Sequence, residues 1–284
     1  MIGQERLRGM FKVLIVGHTL PRFCILTGQT GSGKKTLANW MAEEFKKVHA
    51  DATIYTLPDV KIDTIREMIN LSYKAVSPVM YIIADADTMS VQAKNSLLKI
   101  TEEPPNNACF IMTLETLENT LDTIRSRASV FSLDNYSEDE IREYALRYNN
   151  LTPAGLVNNK GEFDIIKEIC DVPGDVDMVY QYKPAEFYGY VEKVVDNIDK
   201  AEQANVFKLA EKLALKPEAE GYDLKLFLRI FLTICFSRMP SDPLKYATGI
   251  SITGKYISQL GIRGISKQML VDAWILEIRK YWTR

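Results

Sequence analysis

A short apolar run, Phe23 to Thr27 (FCILT), leads into Gly28-Gln29-Thr30-Gly31-Ser32-Gly33-Lys34-Lys35-Thr36, and Leu37, Trp40, Met41 and Phe45 then recur at helical spacing through Val48. A strand, a glycine-rich loop and a helix in that order form a cradle whose backbone amides, at the helix N-terminus, hold phosphate groups. The pattern asks for a hydroxyl directly after the loop lysine, because that oxygen ligates the Mg²⁺ bridging the phosphates. Lys35 stands there instead. Thr36 carries its hydroxyl one residue late, turned about 100° away around the helix. The cradle is intact; one of its metal ligands is not.

Strands are expected at Thr53 to Leu57, Val79 to Ala84, Cys109 to Leu114 and Ser129 to Leu133, with helices at Ile62 to Tyr73 and Ser90 to Thr101. That alternation implies a mostly parallel sheet covered by helices on both faces. After Leu133 the pattern becomes helical throughout. Ser137-Glu138-Asp139-Glu140 is a capping box, and Thr152 to Gly161, Val172-Pro173-Gly174 and Lys216 to Gly221 read as a loop, a turn and a link. Phe227, Ile230, Phe231 and Ile234 form one apolar stripe, and Leu270, Trp274, Ile275, Ile278 and Trp282 another.

With 284 residues, of which 46% are hydrophobic and 25% charged, the chain has room for two or three domains. A net charge of −2 gives no global basic field for nucleic acid. Cys24, Cys109, Cys170 and Cys235 are scattered without a CxxC, so reduced cytoplasmic thiols are expected and zinc is not. The N-terminus lacks the apolar core of a signal peptide. Leu226 to Phe236 is too short for a membrane span and contains Arg229, so no membrane contact is expected.

Four blocks, in order, resemble the AAA+ clamp-loader subunits of bacterial DNA polymerase III. They are Ile2-Gly3-Gln4, the glycine loop, VMYIIADADTMSVQAKNSLLKITEEPPNNACFIM, and Thr123-Ile124-Arg125-Ser126-Arg127. Ile265 to Leu270 looks like that family's last collar helix. The resemblance implies a P-loop domain over residues 1–135, a helical lid over 136–183 and a helical, oligomerising collar over 184–284. Gly3 and Gln4 would lie near an adenine, and Gly28, Gly31, Ser32, Gly33, Lys34, Lys35 and Thr36 around the phosphates. Arg127 would act as an arginine finger on a neighbour's nucleotide.

The departures from that family concern catalysis. Its Walker B segment ends in Asp-Glu-Ala-Asp, the first acid serving Mg²⁺ and the second the attacking water. One alignment puts Ala84 and Asp85 in those places; a one-residue shift makes Asp85 the metal acid and Ala86 the missing base. The sensor position falls on Leu114 and the lid arginine on Asp177, while Ala128 replaces a cysteine after Arg127 and the usual four-cysteine zinc module is absent. Lost metal, water and γ-phosphate ligands imply little hydrolysis, since such groups carry the charge of phosphoryl transfer.

The pattern resembles a delta-prime-type subunit of a phage or divergent bacterial loader, part of a DNA polymerase III holoenzyme. Its loop would hold ATP or ADP with weak Mg²⁺ or none. Implied partners are gamma/tau-type ATPase subunits and a delta-type subunit in a hetero-oligomer, and through it a sliding clamp and primer-template DNA. The alternative is an autonomous AAA+ ATPase of a replication or recombination complex, with Thr36 serving the metal and Lys35 merely solvated.

Overall fold

The computed structural model describes residues 2–148, 166, 169–181, 184–214, 223–260 and 266–283. The expected loop at 152–161, the link at 216–221 and Ile265 lie outside the described residues. The chain divides into two compact units, Met1–Tyr144 with Val172–Gly174, and Ala145–Asp171 with Asp175–Arg284.

The first unit is built on five parallel strands, β1 (Phe23–Thr27), β2 (Thr53–Thr56), β3 (Val79–Ile83), β4 (Ala108–Leu114) and β5 (Ser129–Ser132), in the order β2-β3-β4-β1-β5. Both faces are covered, which is why β1, β3 and β4 are buried throughout and read as near-continuous apolar runs rather than alternating. On one face α1 (Glu5–Val16) and α2 (Lys34–Val48) pack Leu7, Phe11, Ile15, Leu37, Met41 and Phe45 against Leu26, Met80, Ile82 and Ile111. On the other, α3 (Ile62–Tyr73), α4 (Val91–Ser96), α5 (Leu98–Glu102) and α6 (Asp122–Arg125) bring Ile65, Met68, Ala93, Ile100 and Ile124 onto Ile25, Ile83 and Met112. The strand register lines up Tyr55, Tyr81, Phe110 and Phe23 on this face as a run of stacked rings, with centroids 5.4, 5.4 and 5.8 Å apart.

Several expectations needed correction. The single helix over Ser90 to Thr101 is two, broken at Leu97. Ser96 Oγ bonds back to Gln92 O at 3.0 Å, a back-bond that bends helices. Pro173 and Gly174 are not a turn but the first residues of α8 (Pro173–Gln181), after α7 (Glu138–Tyr148); proline suits a first helical position, where its missing N–H is no loss. Helix α1 was not anticipated, although Leu7, Phe11 and Ile15 recur at four-residue spacing.

In the second unit α9 (Pro184–Asn197), α10 (Gln203–Ala214), α11 (Leu224–Arg238), α12 (Pro243–Ile257) and α13 (Lys267–Trp282) pack as a bundle. Asp223, Asp242 and Ser266 cap α11, α12 and α13 by accepting from Leu226, Lys245 and Met269 N–H groups. Both apolar stripes meet at its centre, where Phe231 lies edge-on to Trp274 and stacks on Trp282, and Trp274 Nε1 donates to the buried Thr253 Oγ1 at 3.0 Å. The stripe Phe227, Ile230, Phe231, Ile234 was read as buried by the bundle together with sister collars; within this single chain these residues are already 1% exposed or less.

Candidate functional site

The glycine loop leaves the carboxyl end of β1, beside the ends of β4 and β5, which is where parallel α/β sheets bind ligands. Gly28 N–H extends the ladder to Leu114 O at 3.3 Å. Gly31 (φ 83°) and Gly33 (φ 86°) are left-handed, the conformation that wraps the loop and that a Cβ would strain. Helix α2 opens on Gly33 with no side chain capping it and no acid in its first turn, so its leading amides face outward for an anion. Ser32 Oγ is buried and has no hydrogen-bond partner. Lys34 turns back on the loop, donating from Nζ to Gly28 O at 2.6 Å and Gln29 O at 2.8 Å. Burial pushes its ammonium below the usual lysine range, against the pull of Glu115, Asp87 and Asp85. This donor set suits a phosphate group.

It does not suit a divalent cation. Lys35, on the first turn of α2, reaches Asp85 beyond the end of β3, with Nζ 2.5 Å from Oδ2. Asp85, one of the acids beside the loop, therefore already faces an ammonium. Asp85 is itself left-handed (φ 52°), and its N–H donates to Thr113 Oγ1 at 2.9 Å. Asp87 is structural: both carboxylate oxygens accept Glu115 N–H at 2.9 Å and one accepts Asn119 Nδ2, tying the end of β3 to the end of β4. Leu114 is a fully buried member of the core beside Ile124. Thr36 is exposed on the helix surface.

Gly3 and Gln4, the residues expected near an adenine, tie the N-terminal segment to the rest of the unit. The Gln4 amide donates to Asp134 O at 2.7 Å and accepts Asp134 N–H at 2.8 Å, clamping the N-terminal segment to the connection between β5 and α7. The same connection supplies Tyr136, whose hydroxyl donates to Ser32 O at 2.8 Å. A Cβ on Gly3 would come within 2.6 Å of the Tyr136 ring. Burial raises the Tyr136 phenol, keeping it protonated as a donor to the loop. Sequence reading missed Tyr136, and nothing in its neighbourhood marks it. It also missed Gly174, whose N–H donates to Gly31 O at 3.0 Å.

Arg127 follows α6, away from these groups in the hydrogen-bond network. Its guanidinium donates to Thr123 O at 2.9 Å and to Ser126 Oγ, and pairs with Glu102 Oε1 at 2.9 Å. Arg125 pairs with Asp122 one turn back. Asp177 is an exposed residue of α8, within the helical unit. The four cysteines are buried and unpaired, and burial raises their thiols, Cys24 and Cys235 each to about 12. Among the described residues no cluster of three or more His, Cys, Asp or Glu could hold a metal ion, and no helix is long and apolar enough to cross a membrane.

Comparison with known proteins bears on this arrangement. A family described as DNA polymerase III, delta subunit matches residues 46–137. DNA polymerase III subunit gamma of Buchnera aphidicola subsp. Schizaphis graminum is 29% identical over 145 residues, 41% of this chain and 39% of that protein. The Replication factor C small subunit of Haloarcula marismortui is 25% identical over 150 residues, 50% of this chain and 46% of that protein. The chain thus spans less than half the length of the curated relatives it matches. A crystal structure of a DNA polymerase III gamma subunit-related protein from Thermotoga maritima superposes with a TM-score of 0.52 at 15% identity, over 96% of this chain and 99% of that one, and supports the fold.

Proposed function

We propose that this chain is one of the AAA+ clamp-loader subunits of DNA polymerase III, a reading supported by its likeness to that family and to gamma- and tau-type relatives, and that it is a delta-prime-type member that holds a nucleotide at its glycine loop with little or no hydrolysis. The observation that carries this reading is the Lys35–Asp85 ion pair. Phosphoryl transfer depends on groups that position Mg²⁺ and neutralise charge, and here the hydroxyl is replaced and the acid engaged. Residues 1–135 would form the nucleotide module, 136–183 the lid and 184–284 the collar that joins gamma/tau-type and delta-type subunits in a cytoplasmic hetero-oligomer. A sliding clamp and primer-template DNA are met through that assembly.

In this reading Arg127 serves a neighbour. Its present ties are surface ones, with the Arg127 and Glu102 side chains 38% and 52% exposed, and exposed pairs of this kind are worth about 0–1 kcal/mol. The guanidinium can therefore exchange Glu102 for the γ-phosphate oxygens of an adjacent site, which its planar fork fits. The test is ATP turnover by the purified chain and by a reconstituted loader carrying Arg127→Ala. The chain alone should show negligible turnover, and the substituted complex should assemble yet hydrolyse ATP and load clamps more slowly, with Arg127→Lys rescuing only in part. Turnover by the isolated chain at the rate of a working AAA+ subunit, abolished by Lys34→Ala, would refute the non-hydrolysing role. Clamp loading at the unmodified rate with Arg127→Ala would refute the finger.

A further inference from the structure

We infer that the loop binds the diphosphate portion of a nucleotide without a divalent cation, the Lys35 ammonium taking the place that Mg²⁺ occupies in hydrolysing P-loop proteins. This rests on the nucleotide-holding reading above and adds the means of charge compensation. In a P-loop the residue after the lysine and an acid at the end of a neighbouring strand share one dication that bridges the phosphates. Here the residue at the first position is Lys35 and the acid nearest to it is Asp85, and what they share is the Lys35 ammonium, 2.5 Å from Asp85 Oδ2. A dication entering between them would have to displace the Lys35 ammonium from an acid it already neutralises.

The remaining groups recognise phosphate unaided by metal. The α2 N-terminus has no side-chain cap, and Lys34 lies beside it with its ammonium on two loop carbonyls that a phosphate oxygen can replace. Ser32 Oγ, in a residue only 4% exposed, is a hydroxyl without a partner within the loop itself; such a group ordinarily has one. Lys35 and Asp85 are both more than half exposed, so the lysine can swing from the carboxylate to a phosphate oxygen without either group being stranded in an apolar setting. Two ammonium groups and a helix terminus then face the diphosphate. The compensation a metal would bring is supplied by the chain.

The experiment is fluorescence anisotropy of labelled ADP titrated with the full chain, in excess EDTA and in excess Mg²⁺. The unmodified chain should bind equally in both, within about twofold to threefold. Lys35→Met, which removes the charge from an exposed position, should weaken binding in both by about tenfold or more, the worth of one charge-assisted hydrogen bond. Lys35→Thr, which restores the hydroxyl, should be weak in EDTA and recover in Mg²⁺. Circular dichroism of each variant checks that the fold is kept. Binding by the unmodified chain only in the presence of Mg²⁺, or no loss with Lys35→Met, would overturn this inference and leave the nucleotide-holding reading standing. No binding in either buffer would overturn both.

Discussion

Gly174→Ala probes how tightly the start of α8 is held against the glycine loop. A Cβ on Gly174 would lie 2.5 Å from Gly31 Cα and 3.3 Å from both the carbonyl carbon and oxygen of Gly31. The obstacle is backbone, so no rotamer change relieves it; the start of α8 must move away, and its 3.0 Å bond to Gly31 O goes with it. Overpacking of this kind costs about 1–3 kcal/mol, and the lost hydrogen bond about 1 kcal/mol more. Alanine returns at most about 1 kcal/mol through its higher helix propensity. The clash wins, with a net loss of about 1–3 kcal/mol and a melting temperature lower by roughly 2–5 °C for a chain of this size. Thermal unfolding followed by circular dichroism measures the first effect. Labelled-ADP anisotropy measures the second, because displacing Gly31 disturbs the cradle. Gly31→Ala should be worse, since it meets Gly174 Cα at 2.8 Å and also forces alanine to φ 83°. A Gly174→Ala protein that melts at or above the parent temperature and binds as tightly would show that the two backbones are not in this contact.

Two further outcomes follow from the helical unit. On α12, Gly249→Ala drives a Cβ to 2.6 Å from Trp282 Cζ2 of an indole stacked on Phe231, and should destabilise by about 1–3 kcal/mol; Gly254→Ala meets nothing within 4 Å and should stabilise by about 0.5–1 kcal/mol. Urea unfolding of the pair should give opposite signs, and a shared sign would contradict this packing. Glu277 accepts from Lys255 Nζ at 2.9 Å and Tyr256 OH at 2.8 Å, and these bonds hold its carboxyl below the usual range. A depressed carboxyl stabilises above its unfolded pKa of about 4.3 and stops doing so as pH falls through the lower folded value. Glu277→Gln should therefore melt below the parent at pH 7, with the gap closing under about pH 4. Burial and the same carboxylate push the Tyr256 phenol up to about 12, so its contribution is complete below the ordinary tyrosine range and fades as pH rises through that value. A gap that stays constant with pH would remove Glu277 from this account.

The α/β order was legible because both of its signals are local. Strands β1 to β5 fall within a residue of the apolar runs that announce them, and Ser137 and Glu140 form the capping box their spacing implies, with Ser137 N–H donating to Glu140 Oε2 at 2.7 Å and Glu140 N–H to Ser137 Oγ at 3.3 Å. What stayed hidden is long-range in sequence. Tyr136 reaches Ser32, Gln4 clamps Asp134, and Gly174 meets Gly31 across separations that no periodicity encodes. Helix α1 was obscured by its exposed Val13 and Val16, which blur the stripe of Leu7, Phe11 and Ile15. The missing Mg²⁺ hydroxyl could be read from Lys35, but its partner could not, because the sequence left two alignments open around Ala84, Asp85 and Ala86.

The glycine loop, then, has two sets of obligations, and in the proposed reading the chain meets only one of them. Gly31 is required by the backbone of Gly174, Gly33 by the Tyr136 hydroxyl that a Cβ would approach to 3.2 Å, and Gly3 by the Tyr136 ring. These glycines would be needed to seat Tyr136 and the start of α8 against the loop and the N-terminal segment even if no nucleotide were ever bound. Lys34 likewise satisfies two loop carbonyls of its own. The pattern G-x-x-x-x-G-K can therefore be met in full by a chain whose loop is needed for its fold. In the proposed reading the positions that answer only to the metal and the reaction are Lys35 and Leu114, which the fold fills with a surface ion pair and a core side chain. Catalytic competence in this architecture is thus to be judged at the residue after the lysine and at the carboxyl ends of β3 and β4, where packing makes no demand for the catalytic groups.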